Sequence, residues 1–211
     1  MKRRTLDIAF SIGGALFAVL LLVLGLVLKD QADFAKSYVK DQLSSQLITF
    51  TPEAGLNGEQ DDAPCLIEFA GTALDSGKKA ECYANEYIGY HLVEAAKSAG
   101  YEGATYATLG TPQRELRTQL QAAKDAGTAT EEIQANLDAV NGLRDTMFRG
   151  ETLRGLLLTS FGFSIFGDRA DTAALVCLLG AALLLLLSIA GFAHALLSHK
   201  GDKVVMPVTK G

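Results

Sequence analysis

Few residues of this chain are able to do chemistry: three histidines, three cysteines and one short run of alternating charge. His91 stands alone in the middle, while His194 and His199 lie near the end. A zinc or non-haem iron centre needs several His or carboxylate ligands converging on one point. Five residues apart on a helix, His194 and His199 point to different faces. No metal and no other cofactor is therefore expected. A nucleophile–base pair would require the fold to bring a Ser or Thr beside His91, and no local spacing announces one. The expectation is a protein that is not an enzyme. Glu59, Asp61 and Asp62 lack the spacing of a calcium loop and read as a solvated acidic loop.

Cys65 and Cys82 are the other chemical pair. In an oxidising compartment they can join, closing a loop worth about 3 kcal/mol in the chain-entropy account. Two separate buried thiols are the alternative. Cys177 falls in an apolar run with no partner in sight. Two sets of residues are candidate ligand or lipid contacts. Tyr83, Tyr87 and His91 fall on one face of a predicted helix, where they either line a pocket or pack in a core. Arg149, Glu151 and Arg154 either meet an anionic group or pair among themselves, Glu151 and Arg154 being three apart on a helix.

The elements that position these residues are predicted to be helices. Residues 8–28 and 172–197 carry no charge, and each is long enough to cross a bilayer. The first is too long for a signal-peptide core and ends without a small-residue cleavage pattern, so an uncleaved signal anchor is expected. Its Gly14 and Ala18, and Ala173, Cys177 and Ala181 in the second, are small residues at four-residue steps that suit close helix approach. The tails, 1–7 and 198–211, hold six basic and two acidic residues; the rest holds thirteen basic and twenty-two acidic. Lys and Arg mark the cytoplasmic side of a span. Both termini are thus expected inside the cell membrane, with an acidic domain outside. That acidity argues against nucleic acid as a partner.

Between the spans, Phe34, Ala35, Tyr38, Val39, Leu43 and Leu47 keep helical spacing, which predicts that the first span continues as an amphipathic stalk up to Thr51-Pro52. After the acidic loop, Thr72, Asp75 and Ser76 are candidate caps for a helix running to Ser98. Its apolar stripe includes Ala80, Tyr83, Ala84, Tyr87, Ile88, His91 and Leu92, with Gly100 as its stop. Pro112 marks the start of the next helix, whose inner face is Leu116, Leu120 and Ala123 and whose end is Gly127. Thr128 and Glu131 suit a capping box for the last, with Ile133, Leu137, Val140, Leu143, Met147 and Phe148 inward. The short link predicts an antiparallel αα-hairpin. Residues 155–167 are apolar but too short to span. They suit an in-plane helix at the outer leaflet, bending at Gly162 and Gly167.

The fold class is therefore all-α: two transmembrane helices (8–28, 172–197) flank an extracytoplasmic helical domain (29–154) with a hairpin and an interfacial segment (155–167). The run RGETLRGLLL at 149–158 resembles the corresponding segment of a group of actinobacterial two-span membrane proteins of unknown function. YVKDQLSSQLITF at 38–50 is similar to the segment after their first span. Ala70-Gly71 and Ala84-Asn85 also fit, with a poorer match over 101–135. The resemblance implies the two-span layout and brings no activity. A name referring to an aromatic ring-opening dioxygenase travels with such sequences, but one outer histidine does not make an iron site. The expected role is structural or accessory, docking on an envelope partner or on a second copy. The alternative is a ligand- or lipid-binding module.

Overall fold

The structure, a computed structural model, describes residues 3–56 and 62–197. Among them every regular element is helical: α1 (Arg3–Ser44), α2 (Pro64–Glu68), α3 (Gly77–Cys82), α4 (Gly89–Ser98), α5 (Gly110–Ala126) and α6 (Glu131–Leu197). A π-helical turn, Tyr83–Ile88, joins α3 to α4. The chain divides into two compact units, one of Met1–Lys36 and Phe166–Gly211, the other of Ser37–Ile165. The acidic loop, apart from Asp62, and His199 with the tail lie outside the described residues.

The first unit is an antiparallel pair. α1 and α6 each contain a stretch long and apolar enough to cross a membrane. Gly191 lies against Ser11, Gly14 against Ser188, Gly25 against Leu178 and Ala174, and Gly167 against Ala35. The buried positions recur every seven residues: Ser11, Ala18, Gly25 and Ala32 on α1, and Gly167, Ala174, Ala181, Ser188 and Ala195 on α6. A seven-residue repeat keeps one seam facing one partner, and small residues let the two backbones approach closely. The expected line through Ala173 and Cys177 is displaced: Ala173 is exposed, and Ala174 takes the seam. Four-residue steps drift around a helix, and seven-residue steps nearly do not. At one end Asp171 accepts hydrogen bonds from Lys36 at 2.6 Å and Lys29 at 3.1 Å. Lys36 also approaches Asp168 at 3.5 Å. At the other end His194 Nδ1 lies 2.9 Å from Asp7.

The second unit has a core of Phe50, Leu66, Leu74, Leu109 and Met147, with Val39 and Leu43 of α1. Cys65 and Cys82 form a disulfide with Cα atoms 6.0 Å apart, tying α2 to the end of α3. Ser76 caps α3 by accepting the Lys79 N–H. Gly127, at φ +67°, ends α5 in the left-handed conformation. From Arg144, Nε donates to the Tyr106 carbonyl at 3.2 Å, and the guanidinium stacks on that ring and meets Gln113 of α5. Gln113 donates in turn to Asn141 of α6 at 2.6 Å.

Four expectations about element limits are corrected. The α1 stalk stops at Ser44 rather than at Thr51-Pro52. The amides of Gln46 and Leu47 reach back three residues and tighten the last turn, and residues 48–50 then pair with 72–74 through an isolated antiparallel bridge. Leu47 leaves the stripe altogether, at φ +54° and 88 % exposed. Phe34 and Tyr38 are also largely exposed, and the buried stripe is Ala32, Ala35, Val39 and Leu43. Thr128 does not cap α6: its hydroxyl donates to Ala123 at the end of α5, and Glu131 accepts the Thr130 N–H instead. Residues 155–167 do not form a separate helix set off by a bend. They lie inside α6. Leu157 is buried in the core, and Ser164 abuts Gly77, so one face of this stretch packs on the domain. Propagating an existing helix costs little, and neither Gly162 nor Gly167 breaks it.

Candidate functional site: two grooves beside the α4–α6 contact

The candidate residues all fall on two stretches, 83–91 and 149–154, which the domain packs against each other. Their geometry starts from the π turn. Here Gly89 N–H reaches back five residues to the Ala84 carbonyl, making a wider turn than an α-helix. The same carbonyl accepts Arg154 Nε at 3.0 Å. Arg154 Nη1 lies 3.0 Å from both carboxylate oxygens of Glu151, and Nη2 is 3.4 Å from Asn85 Oδ1. Every nitrogen of the Arg154 side chain therefore has a partner within the domain. A guanidinium offers donors in a fixed fork, and this one is used to hold a carbonyl of the turn.

The π turn resets the helical period. Ala80, Ala84, Ile88, Leu92 and Ala96 are buried, one every four residues. Beside them runs a second row at the same step. Tyr83 stacks on Tyr87 with centroids 4.6 Å apart, and Tyr87 meets His91 edge-on at 4.6 Å. Phe50 closes the row, edge-on to Tyr83 at 5.3 Å. Burial raises the Tyr83 phenol above its ordinary value, and Tyr87 adds to this. His91 is exposed, contrary to its expected place in the core stripe. A 3.6-residue period would carry it inward; the four-residue period leaves it on the rim.

Where α4 crosses α6, Leu92 presses on Gly150. A β-carbon at 150 would meet Leu92 at 2.4 Å, so only glycine allows this approach. The contact divides the surface into two grooves. One, of about 430 Å³, is lined by Asn85, Glu86, Tyr90, Met147, Glu151 and Arg154 among others. The second, of about 440 Å³, is lined by Tyr83, Tyr87, His91, Arg149, Gly150 and Leu153 among others. Volumes of this order hold small organic ligands.

The six candidate contacts are thus split. Tyr83, Tyr87, His91 and Arg149 share the second groove. Glu151 and Arg154 border the first, already joined to each other. Arg149 pairs with Asp145 at 2.8 Å and is mostly exposed. Phe148, expected inward, is 56 % exposed. Sequence reasoning missed Asp145, Leu153 and Asn85, because only the packing of α4 and the π turn on α6 brings them to the grooves, and that packing has no local signature. Gly150, facing a bulky neighbour, was the one usable signal. Among the described residues no group of three or more His, Cys, Asp or Glu is placed to hold a metal ion. Comparison with protein-family models, with curated proteins and with solved structures finds no match to this chain.

Proposed function

We propose that the chain is a two-span membrane protein with both termini cytoplasmic, and that Ser37–Ile165 is an extracytoplasmic docking module. One observation carries the membrane assignment. In the helix pair the small residues face inward, and the large ones, such as Leu16, Phe17, Leu179, Leu183 and Leu186, face outward and exposed. Water penalises so large an apolar surface; lipid does not. The Cys65–Cys82 disulfide supports an oxidising compartment for the domain. The resemblance of 149–158 to actinobacterial two-span proteins agrees with this layout.

Docking is favoured by an apolar stripe the domain does not bury. Phe148, Leu156 and Phe163 are exposed on α6. At about 100° per residue they fall within one arc of about 80°. Tyr38 meets Phe163 edge-on at 6.0 Å, and Tyr106 lies 5.7 Å from Phe148, extending the apolar surface to both sides. The partner that suits it is an envelope protein offering an apolar helix face. Since α5 and α6 are joined by a short link with Gly127 left-handed, the region reads as an αα-hairpin presenting that stripe. A photo-reactive amino acid at Leu156, activated in native membranes, should give one discrete heavier adduct, identifiable as another protein or a second copy. Monomer alone would remove the docking reading. A cysteine at Thr130 should react with an impermeant maleimide on intact cells, and protection there would reverse the topology. The groove of Tyr83, Tyr87, His91 and Arg149 favours a second reading, a ligand-binding module.

A further inference from the structure

From the second groove's polarity we infer that it binds a single-chain anionic amphiphile, apolar body on Tyr83, Tyr87 and Leu153 and carboxylate or phosphate head on Arg149. This rests on the ligand-binding reading and is independent of docking.

The groove has a direction. Leu92 meets Gly150, and Arg154 meets Ala84, so α4 and α6 run antiparallel here. Tyr83 and Tyr87 therefore lie toward Leu153, and His91 lies toward Asp145 and Arg149, all lining one groove. One end is walled by stacked rings and a leucine; the other holds the charges. The rings stand at four-residue steps, which set them side by side on one face of the helix and make the apolar wall. π turns inserted in helices recur at functional sites.

The sign of the head follows from the donors. Arg149 contributes a guanidinium, of which the Asp145 contact engages Nη2 alone. Further N–H groups remain to grip an oxyanion in a fork. The His91 imidazole lies toward the same end of the groove, where Asp145 is the single carboxylate. The Arg149 side chain is 78 % exposed, so a ligand reaches it without displacing core packing. The size follows from the helix. From Tyr83 to His91 is about 12 Å at the helical rise, which seats one medium-length chain.

The test uses the full chain in nanodiscs of zwitterionic lipid, with decanoate, decyl phosphate, decanol and decyltrimethylammonium as probes and empty discs as blanks. The chain has no Trp, so tyrosine emission reports ring contacts directly. Decanoate and decyl phosphate should change it saturably, and the other two should act as they do on empty discs. Arg149→Gln should weaken decanoate about tenfold, the effect of losing a hydrogen-bonded charge, and Leu153→Glu should abolish binding. A diazirine-bearing decanoate should label peptides 83–92 and 149–153. Helix content and the intact disulfide confirm that each variant folds. Labelling confined to 8–28 and 173–193, equal binding of decanol, or unchanged affinity in both variants overturns the proposal. Loss of binding with the Leu156 adduct retained would leave docking standing, and the converse would leave this site standing.

Discussion

In the paired helices only small residues are buried and the large ones face out; in Ser37–Ile165 large side chains are buried alongside small ones. Ala18, Ala174, Ala181 and Ser188 are buried in the pair, and Phe50, Leu66, Leu74 and Leu109 in the domain. The same kinds of side chain thus follow two burial patterns. In water, apolar area removed from solvent is the driving force, about 25 cal/mol per Å², so bulk goes inward. Between helices in lipid that term vanishes, and close backbone approach decides instead. Under the proposed membrane placement, burial carries a different meaning in each region.

The contrast is broken most sharply by making one substitution on both sides. Leu74→Ala empties a fully buried site of the domain, and should cost about 2–5 kcal/mol, a transfer loss plus a cavity. Leu186→Ala, at a position 66 % exposed on the pair, should stay within about 0.5 kcal/mol. Thermal unfolding of the full chain in nanodiscs, followed by tyrosine near-UV dichroism for the domain and by helix content for the pair, separates the two. Equal losses would mean that both regions fold by the same rule.

Next in size is the disulfide, which belongs to one region alone. Cys65–Cys82 closes a loop over a sequence separation of 17, worth about 3 kcal/mol in the chain-entropy account. Cys82 directly precedes the π turn. The double variant Cys65→Ser/Cys82→Ser should therefore lower the domain's unfolding temperature, speed proteolysis around 62–69, and leave the pair's helices unchanged. A stable, protected domain without the bond would make the disulfide incidental.

How much could be read in advance divides along the same line. Runs without charge, the Ser76 cap and the Gly127 stop need only local chemistry, and the sequence shows them. The Cys65–Cys82 pairing was legible as an option, and its geometry was not. The seam register was hidden, because small residues are common in both apolar runs and only packing selects 174, 181 and 188 over 173 and 177. The π turn was hidden more deeply. Its carbonyl at Ala84 is held by Arg154, 70 positions along the chain, so a local periodicity count places His91 inside. The mean α-helical period fails wherever a distant side chain re-sets the turn.

The smallest predicted effect concerns the ionic end of the pair. Lys36 and then Lys29, through hydrogen bonds, hold the Asp171 carboxyl below its ordinary value. Lys36 is raised, first by Asp171; Lys29 is raised, first by Asp33 and then by Asp171. A depressed carboxyl contributes stability that is complete above its unfolded value of 3.8 and is lost as pH falls through the folded value. A raised lysine contributes stability that is complete below 10.5 and is lost as pH rises through the folded value. The clasp therefore works fully between those two limits. The groups facing it are Asp33 on α1 and Asp168 on α6. Lys29, Lys36, Asp33 and Asp168 are exposed and Asp171 is only partly covered, so water and salt screen the contribution heavily. Asp171→Asn should raise amide hydrogen exchange over 29–36 and 168–172 by a few-fold at most at neutral pH. The difference from the unaltered chain should shrink in high salt and vanish in acid below the carboxylate range. It should leave the 11–25 seam untouched, since small-residue packing carries no charge to screen. Exchange spreading into the seam at low pH would show that the pair is held by its ionic end after all, and the contrast between the two regions would narrow to a difference in side-chain size.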